Sequence, residues 1–412
     1  MKSMPSILSA PKKETVPDWN RWYAARAGRL RSSAIRELLK VISQPGMISF
    51  AGGMPAPESF PLSAFREACE KVLARDGPAA LQYSATEGYG PLREFVAGSL
   101  RTKGIPCQVE NVLMTSGSQQ ALDLIGKVFV DGSRPACVER PTYLGALQAW
   151  DSYAAEYITV PLDDEGIVLE GVPELLERSR PRFMYVLPNF HNPAGVSLSL
   201  ARRRRLVEIL ASAECFLLED DPYAELCFEG EMLPPLASLM PERTLYLGTF
   251  SKILAPGIRL GYVAGPQEVI RKLVQAKQGV DLHTSTFDQM VACEVGRMGI
   301  LPAHIGTVRD IYRERCAAML TAMESHFPDA VRRTRPKGGL FLWATLPEPL
   351  DSVELLSQAI AAGVAYVPGP SFYPPGMDEA RRHLRLNFSY CGPERIEEGI
   401  RRLGAVFTRA MQ

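Results

Sequence analysis

The feature that most constrains the fold of this chain is an alternation of short β-rich runs with helical stretches between about residues 65 and 300. The β-rich runs are NVLMTS, PACVER, AEYITVPL, RFMYVLP, CFLLEDD, TLYLGTF and GYVAG. Stretches with helical periodicity, such as SQQALDLIGKVF and LARRRRLVEILASA, lie between several of them. Because strand–helix alternation is typical of a mostly parallel sheet covered on both faces, the sequence predicts an α/β fold.

The pattern divides the chain into four predicted segments. Residues 1–16 are polar and form a loose arm, and residues 17–64 hold a helical stretch, LRSSAIRELLKVI, followed by the Gly- and Pro-rich SFAGGMPAPESFP. Residues 65–300 form the large domain with the mostly parallel sheet. Residues 301–412 combine helices with the strand-like runs PKGGLFLWATL and HLRLNFSY, which predicts a smaller α+β domain beside the 17–64 segment.

The composition argues against several classes of protein. Acidic and basic residues balance at 46 each in 412 residues, so no basic excess favours nucleic acid or an anionic membrane. No apolar run approaches the ~20 residues that span a bilayer, and the N-terminus lacks the apolar core of a signal peptide. The eight cysteines include no Cys-x-x-Cys pair, which indicates reduced thiols rather than a metal site. We therefore expect a cytoplasmic protein that binds neither nucleic acid nor membrane.

Four of the predicted strands end in unusual polar sequences. NVLMTS runs into Ser116–Gln119, RFMYVLP into Asn189–Gly195, CFLLEDD into Asp220–Tyr223, and TLYLGTF into Ser251–Lys252. Ligands of open parallel sheets bind at the carboxyl ends of the strands, so these four ends are predicted to converge at one edge. The basic run Arg202–Arg205 is interpreted instead as the solvated face of a helix, with phosphate binding as the minor possibility.

Each polar strand end has an ordinary explanation when it is taken alone. Ser-Gly-Ser can cap a helix, Asn192-Pro193 can form a turn, Asp220 can close a turn and Lys252 can be solvated. Together they match what pyridoxal phosphate requires: a lysine for the Schiff base, an aspartate for the pyridinium nitrogen, and a tyrosine and an asparagine for the phenolic oxygen. Helix-terminal amides, hydroxyls and an arginine would hold the phosphate.

At these motifs the sequence resembles the fold-type I pyridoxal-phosphate-dependent aminotransferases. It is most similar to the 2-aminoadipate (LysN-like) and kynurenine or aromatic aminotransferases. The resemblance covers about residues 28–405 and includes SFAGGMPAPESFP, TSGSQQALDLIGKVF, HNPAG, LEDDPYAEL, TFSKILAPGIRLGYV and LRLNFSY. Ala194 departs from the threonine that is common in the HNPAG motif, and this change is not expected to touch the chemistry.

The resemblance implies a role for each residue of the cofactor site. Lys252 is expected to form the Schiff base and move the substrate proton, Asp220 to pair with the pyridinium nitrogen, and Tyr223 to bind the phenolic oxygen. The other residues that it places around the cofactor are Asn192 at the phenolic oxygen, Tyr143 stacked on the ring, and Ser118, Gln119, Thr249, Ser251 and Arg259 at the phosphate. Tyr83 resembles a tyrosine that reaches the phosphate of the partner subunit, which implies a homodimer with shared active sites.

The resemblance also implies a substrate site. Arg385 matches the arginine that grips the α-carboxylate, and a guanidinium suits a carboxylate because it donates through a planar fork. The alternative for Arg385 is a surface position on an edge strand. Gly53 is expected to let the backbone approach the substrate, and Asn192 to contact it. Arg36, with Ser33 nearby, is expected to meet a side-chain carboxylate or swing away; the alternative is a solvated arginine on an amphipathic helix.

The predicted function is transfer of an amino group from an L-amino acid to a 2-oxo acid, with 2-oxoglutarate as the common acceptor in the family. Aminoadipate, aromatic, leucine-like and kynurenine-like donors all remain open. One alternative is another pyridoxal reaction on the same fold, such as β-elimination or an oxidase-like reaction. A second alternative is a ligand-sensing regulator, but about 30 residues precede the matched region, which is too few for a winged-helix domain.

Overall fold

The computed structural model of the protein describes residues 18–30 and 46–412. The predicted helix LRSSAIRELLKVI lies almost entirely outside these residues, and so do Arg36 and Ser33. The strands of the described residues are β1 Ile48–Ser49, β2 Val112–Thr115, β3 Ala136–Arg140, β4 Tyr157–Asp163, β5 Gly166–Ile167, β6 Phe183–Val186, β7 Phe216–Asp220, β8 Thr244–Thr249, β9 Gly261–Ala264, β10 Arg332–Arg333, β11 Phe341–Thr345, β12 Val364–Ala365, β13 Val367–Pro368 and β14 His383–Asn387.

The α-helices lie mostly between these strands, as the alternating sequence pattern predicts. They are α1 Leu62–Ala80, α2 Gly90–Thr102, α3 Ser118–Phe129, α4 Leu144–Asp151, α5 Val172–Ser179, α6 Leu200–Ser212, α7 Leu236–Leu239, α8 Gln267–Gln278, α9 Thr286–Arg297, α10 Leu301–His326, α11 Ser352–Ala361 and α12 Pro393–Ala410. None of the helices among the described residues combines the length and the apolar character needed to cross a membrane.

The large sheet has eight strands in the order β2-β9-β8-β7-β6-β3-β4-β5. Neighbours from β8 to β4 pair in parallel, whereas β9 runs antiparallel to β2 and β8 and the short β5 runs antiparallel to β4. All seven predicted strands are in this sheet, and the mostly parallel α/β fold is confirmed. Strands β6 and β8 are buried along their whole length, which is why neither sequence alternates apolar with charged residues.

Helices cover both faces of the large sheet. On one face, α3, α4 and α8 pack on side chains such as Leu113 and Leu218. On the other face, α1, α2 and α9 cover one end around Met114, and α5 and α6 cover the other end around Leu217. Consecutive residues of a strand, such as Leu217 and Leu218, serve opposite faces because side chains alternate along a strand.

The C-terminal part forms an antiparallel sheet in the order β10-β11-β14-β13. One apolar cluster joins this sheet to α10 and α12 and includes Ile48 and Phe50 from the N-terminal segment. Strand β1 of that segment pairs in parallel with β12. The backbone around residues 48–56 is therefore held against the C-terminal part of the chain.

The interpretation of Arg202–Arg205 as a solvated face is wrong for Arg203. Arg204 and Arg205 are exposed, but Arg203 is fully buried. Its guanidinium donates to the carbonyls of Leu198, Pro188 and Pro234 and to the side-chain oxygen of Asn189. Successive residues of an α-helix point about 100° apart, so four consecutive side chains cannot share one face. Arg203 therefore fixes the loop after β6 rather than meeting solvent.

Candidate active site

The carboxyl ends of β2, β6, β7 and β8 meet at one edge of the large sheet, where the sequence predicts a site. A cavity of about 140 Å³ opens there. It is lined by Ser118, Gln119, Tyr143, Leu187, Asp220, Pro222, Thr249, Ser251, Lys252, Pro256 and Arg259. Eight of these residues are predicted cofactor contacts, and the structure brings them together from distant parts of the sequence.

Lys252 follows β8 and extends its amine into this site. The Nζ donates to the carbonyl of Gly53 at 2.8 Å. Burial of the ammonium, together with the nearby cations Arg385 and Arg259, lowers the pKa of Lys252 to about 8. A substantial neutral fraction at moderately alkaline pH makes the amine able to act as a nucleophile and a base.

Asp220 ends β7 and lies buried beside the cavity. Its Oδ2 accepts a hydrogen bond from Tyr185 Oη at 2.8 Å, whereas its Oδ1 is buried without a partner among the described residues. Burial raises the pKa of Asp220 to about 7, the Tyr185 hydrogen bond opposes this rise, and the carboxylates of Asp221 and Glu139 add to it. The unpartnered Oδ1 of this buried carboxylate is suited to accept from a cationic N–H.

Tyr223, Asn192 and Arg385 form a chain of buried polar contacts beside the cavity. Asn192 Nδ2 donates to Tyr223 Oη at 3.4 Å, and Asn192 Oδ1 accepts from Arg385 Nη1 at 2.8 Å. Burial raises the pKa of the Tyr223 phenol above its ordinary value, so the hydroxyl stays protonated. The loop that carries Asn192 is fixed by His191, whose Nδ1 accepts from the Ala194 amide at 3.2 Å.

Arg385 lies on β14, between β11 and β13, and is buried. The alternative of a surface arginine on an edge strand is therefore excluded. Its guanidinium lies over the rings of Phe341 and Phe372, with 4.2 and 4.9 Å to the ring centroids, and Nη2 donates to the carbonyl of Ala51 at 2.7 Å. Nε has no partner among the described residues. Burial lowers the pKa of Arg385 to about 10, which leaves it charged at neutral pH.

The N-terminus of α3 supplies amides beside Ser118 and Arg259. Gly117 has φ +80°, and a Cβ built there would lie 2.5 Å from Arg259 Nη2, so the guanidinium packs directly on the glycine. Thr249 Oγ1 donates to Ser251 Oγ at 3.0 Å. Free helix-terminal amides, two hydroxyls and a guanidinium form a set of donors that suits a phosphate group.

Tyr143 immediately precedes α4 at the wall of the cavity. Gln119 Nε2 donates to the carbonyl of Gly145 at 2.7 Å, which ties α3 to the start of α4. A Cβ at Gly145 would lie 2.5 Å from the Tyr143 ring, so the glycine leaves room for this aromatic side chain. A ligand ring in the cavity would therefore meet a fixed aromatic wall.

The remaining predicted residues have different surroundings. Gly53 accepts from Lys252, and a Cβ there would lie 3.0 Å from Phe341 Cζ, so the position has little room for a side chain. Tyr83 lies on the surface with 79% of its area exposed, edge-on to His283. It is not among the residues that line the cavity of its own chain.

Sequence reasoning missed two sets of groups in this site. Tyr185 lies in the apolar run RFMYVLP, so nothing in the sequence indicated that its hydroxyl takes part in the site. The alternation of side chains along a strand predicts only the face of the sheet on which Tyr185 lies. The carbonyls of Ala51 and Gly53 accept hydrogen bonds from Arg385 and Lys252. Because every residue carries a backbone carbonyl, the sequence does not indicate which carbonyls take part in a site.

The residues of the site fit pyridoxal 5′-phosphate. The unpartnered Oδ1 of Asp220 suits a protonated ring nitrogen, the Lys252 amine suits a carbonyl carbon, and the side-chain-free approach at Gly117 suits a phosphate. The fold and this set of groups define a pyridoxal-phosphate-dependent transferase of fold type I.

The chain belongs to the class I and II aminotransferase family, whose model matches residues 46–403. It is 44% identical to aromatic-amino-acid aminotransferase 1 of Thermococcus litoralis, over 100% of this chain and 99% of that protein. The crystal structure of LysN, an α-aminoadipate aminotransferase from Thermus thermophilus complexed with N-(5′-phosphopyridoxyl)-L-leucine, matches with a TM-score of 0.90 at 43% identity, over 96% of this chain and 99% of that one.

A kynurenine aminotransferase of Pyrococcus horikoshii matches with a TM-score of 0.91 at 42% identity, over 96% of this chain and 99% of that one. The protein is therefore an aminotransferase, and its cofactor is pyridoxal 5′-phosphate. The predictions of family, fold, enzyme class and cofactor are confirmed.

Proposed function

We propose that this aminotransferase moves the amino group of an L-amino acid with an aromatic, aminoadipate-like or leucine-like side chain to 2-oxoglutarate. One observation carries the proposal: the Lys252 amine and the Arg385 guanidinium bind carbonyls of the same short segment, those of Gly53 and Ala51. A base and a carboxylate-binding group thus lie close enough to act on one small α-amino acid. The related enzymes from Thermococcus, Thermus and Pyrococcus support the choice of donors.

When bound, pyridoxal 5′-phosphate supplies an electron sink for the charge that develops at the substrate Cα. Asp220 would hold the ring nitrogen through Oδ1, and Tyr223 and Asn192 would donate to the phenolic oxygen. Tyr143 would pack against the ring. The phosphate would be held by Ser118, Gln119, Thr249, Ser251 and Arg259, all at the edge where the cavity lies.

Lys252 would hold the cofactor covalently through its amine and, when that amine is free, would act as the base. Its lowered pKa, about 8, supports removal of the Cα proton by a neutral amine. The same amine, then protonated, would be the group available to return the proton at the cofactor's C4′ carbon. One flexible side chain could serve both carbons because only the substrate nitrogen would lie between them.

Arg385 binds the α-carboxylate through the N–H groups that its contacts with Asn192 and Ala51 leave free. The aromatic faces of Phe341 and Phe372 exclude water from the guanidinium, which strengthens a charge-assisted bond. Gly53 gives the substrate room, and Arg36, with Ser33 nearby, meets a side-chain carboxylate when the substrate has one.

We further propose that two copies of the chain form a homodimer in the cytoplasm, with Tyr83 of each copy reaching the phosphate held by the other. The exposure of Tyr83 and of Leu81 beside it supports a partner at this surface. Within each copy, we propose domains at residues 65–300 and 301–412, with the described part of the 17–64 segment packed on the latter. The arm predicted at residues 1–16 lies outside the described residues.

The test is a panel of amino donors with 2-oxoglutarate as acceptor, measured for the wild type, Arg36→Ala and the exposed control Arg29→Ala. We expect Arg36→Ala to lose aminoadipate while aromatic and leucine donors keep at least half of their kcat/KM. Equal losses for all donors would refute the role of Arg36. Absence of 2-oxo acid formation from every donor in the panel would refute the proposed substrates.

A further inference from the structure

One carboxylate oxygen of Asp220 accepts a hydrogen bond, and the other has no partner among the described residues. Oδ2 accepts from Tyr185 Oη at 2.8 Å, and Oδ1 is buried without a partner among the described residues. Asp220 lines the cavity, whereas Tyr185 does not. Tyr185 thus binds from behind, and the oxygen that it leaves open is the one available to a ligand in the cavity.

Tyr185 itself is held firmly on β6. Its side chain is fully buried, and its ring packs edge-on against Trp150 with 5.1 Å between centroids. Trp150 is fixed in turn, because its indole N–H donates to the carbonyl of Leu122 at 2.9 Å. Burial and the adjacent carboxylate raise the pKa of Tyr185 well above its ordinary value, so the hydroxyl remains a donor throughout the working pH range.

The charges around Asp220 make such a donor necessary. Burial, Asp221 and Glu139 all favour a protonated Asp220. No lysine or arginine forms an ion pair with Asp220 in the part of the chain that the structure describes, whereas Tyr185 stabilises the ionised form. A protonated carboxyl would no longer offer the ring nitrogen a negative charge.

We propose that Tyr185 is a positioning residue that fixes the Asp220 carboxylate and presents its Oδ1, as an anion, to the ring nitrogen of the cofactor. This inference rests on the proposed role of Asp220. Tyr185 would then contribute to cofactor binding as well as to the packing of the core.

The test compares Tyr185→Phe with a matched control on β8. Tyr246 is equally buried, and its Oη donates to Asp221 Oδ2 at 2.9 Å, so Tyr246→Phe removes the same kind of bond from a different aspartate. Both variants keep the ring and its packing. Cofactor affinity is measured by titrating the cofactor-free protein with pyridoxal 5′-phosphate between pH 6 and pH 9, and the absorbance of the bound cofactor is recorded at each pH.

We expect Tyr185→Phe to weaken cofactor binding about tenfold at neutral pH, as for loss of one hydrogen bond to a charged group. The loss should be larger at pH 6 than at pH 9, because the variant Asp220 takes up a proton at a higher pH. Tyr246→Phe should change the affinity less than twofold at every pH. Equal effects of the two variants, or an effect of Tyr185→Phe that does not vary with pH, would overturn the proposal.

Asp220→Asn separates this inference from the role on which it rests. If Asp220→Asn binds the cofactor and transaminates like the wild type, the proposed role of Asp220 fails. If Asp220→Asn is impaired while Tyr185→Phe matches the wild type, only the role of Tyr185 fails.

Discussion

Arg385 donates to Asn192 over 2.8 Å, and this contact joins the two sheets at the active site. Arg385 belongs to β14 of the small sheet, and Asn192 belongs to the loop after β6 of the large sheet. Asn192 also donates to Tyr223. The group that we propose for the substrate carboxylate and the groups that we propose for the phenolic oxygen therefore share one hydrogen-bonded side chain.

Arg385→Lys should lower kcat/KM for every amino donor by about 100-fold, which is roughly 2.8 kcal/mol at 1.4 kcal/mol per tenfold. A lysine has the charge but not the planar fork, and it leaves Asn192 Oδ1 without its donor. Single-turnover rates measured against donor concentration give the change. Arg381→Lys, an exposed arginine on the same part of the chain, is the control. Unchanged kcat/KM in Arg385→Lys would contradict carboxylate binding by this residue.

The amine of Lys252 should react as a base of lowered pKa in the cofactor-free protein. Below pH 8 the ammonium predominates, so the rate of acetylation by acetic anhydride should fall about tenfold per pH unit, with a midpoint at about 8. Arg385→Met should move this midpoint upward, because it removes a nearby cation that disfavours the ammonium. Peptide mass spectrometry measures the rate, with the exposed Lys272 as an internal reference. A midpoint near the ordinary lysine value of 10.5 would show that the site does not perturb the amine.

Gly117→Ala should weaken binding of pyridoxal 5′-phosphate at least tenfold. The φ of +80° disfavours any L side chain, and the new Cβ would lie 2.5 Å from Arg259 Nη2 and displace this guanidinium. Gly98→Ala is the control, since its Cβ would meet only the end of Arg101 at 3.6 Å and alanine favours the interior of α2. The affinity of each variant for pyridoxal 5′-phosphate is measured by titrating the cofactor-free protein. Equal affinities of Gly117→Ala and Gly98→Ala would show that cofactor binding does not require a glycine at position 117.

Arg203→Met should destabilise the protein by about 3–5 kcal/mol, because it leaves the buried oxygens of Pro234, Pro188 and Asn189 without their donor, at about 1–3 kcal/mol each. Arg204→Met, which changes the exposed neighbour on α6, should stay within about 0.5 kcal/mol of the wild type. Urea unfolding of the two cofactor-free variants tests the difference. Similar midpoints for both would show that the buried hydrogen bonds of Arg203 contribute little.

The sequence by itself determined the strands of the large sheet and the residues at their ends. Apolar runs separated by helical patterns predict parallel strands, and parallel strands place their carboxyl ends at one edge. Asp220, Lys252 and Ser118 could therefore be assigned to a common site without coordinates. Arg36 and Ser33, which lie outside the described residues, remain predictions from resemblance.

Only the tertiary structure decided which groups support those residues. The contact between Tyr185 and Asp220 depends on the register of β6 beside β7. The burial of Arg203 depends on which face of α6 packs on the sheet. The carbonyls of Ala51 and Gly53 reach Arg385 and Lys252 only after the N-terminal segment packs between the two sheets. The physical reason is that periodicity reports the burial of a side chain, whereas a hydrogen-bond partner is set by strand register and by backbone groups that every residue carries.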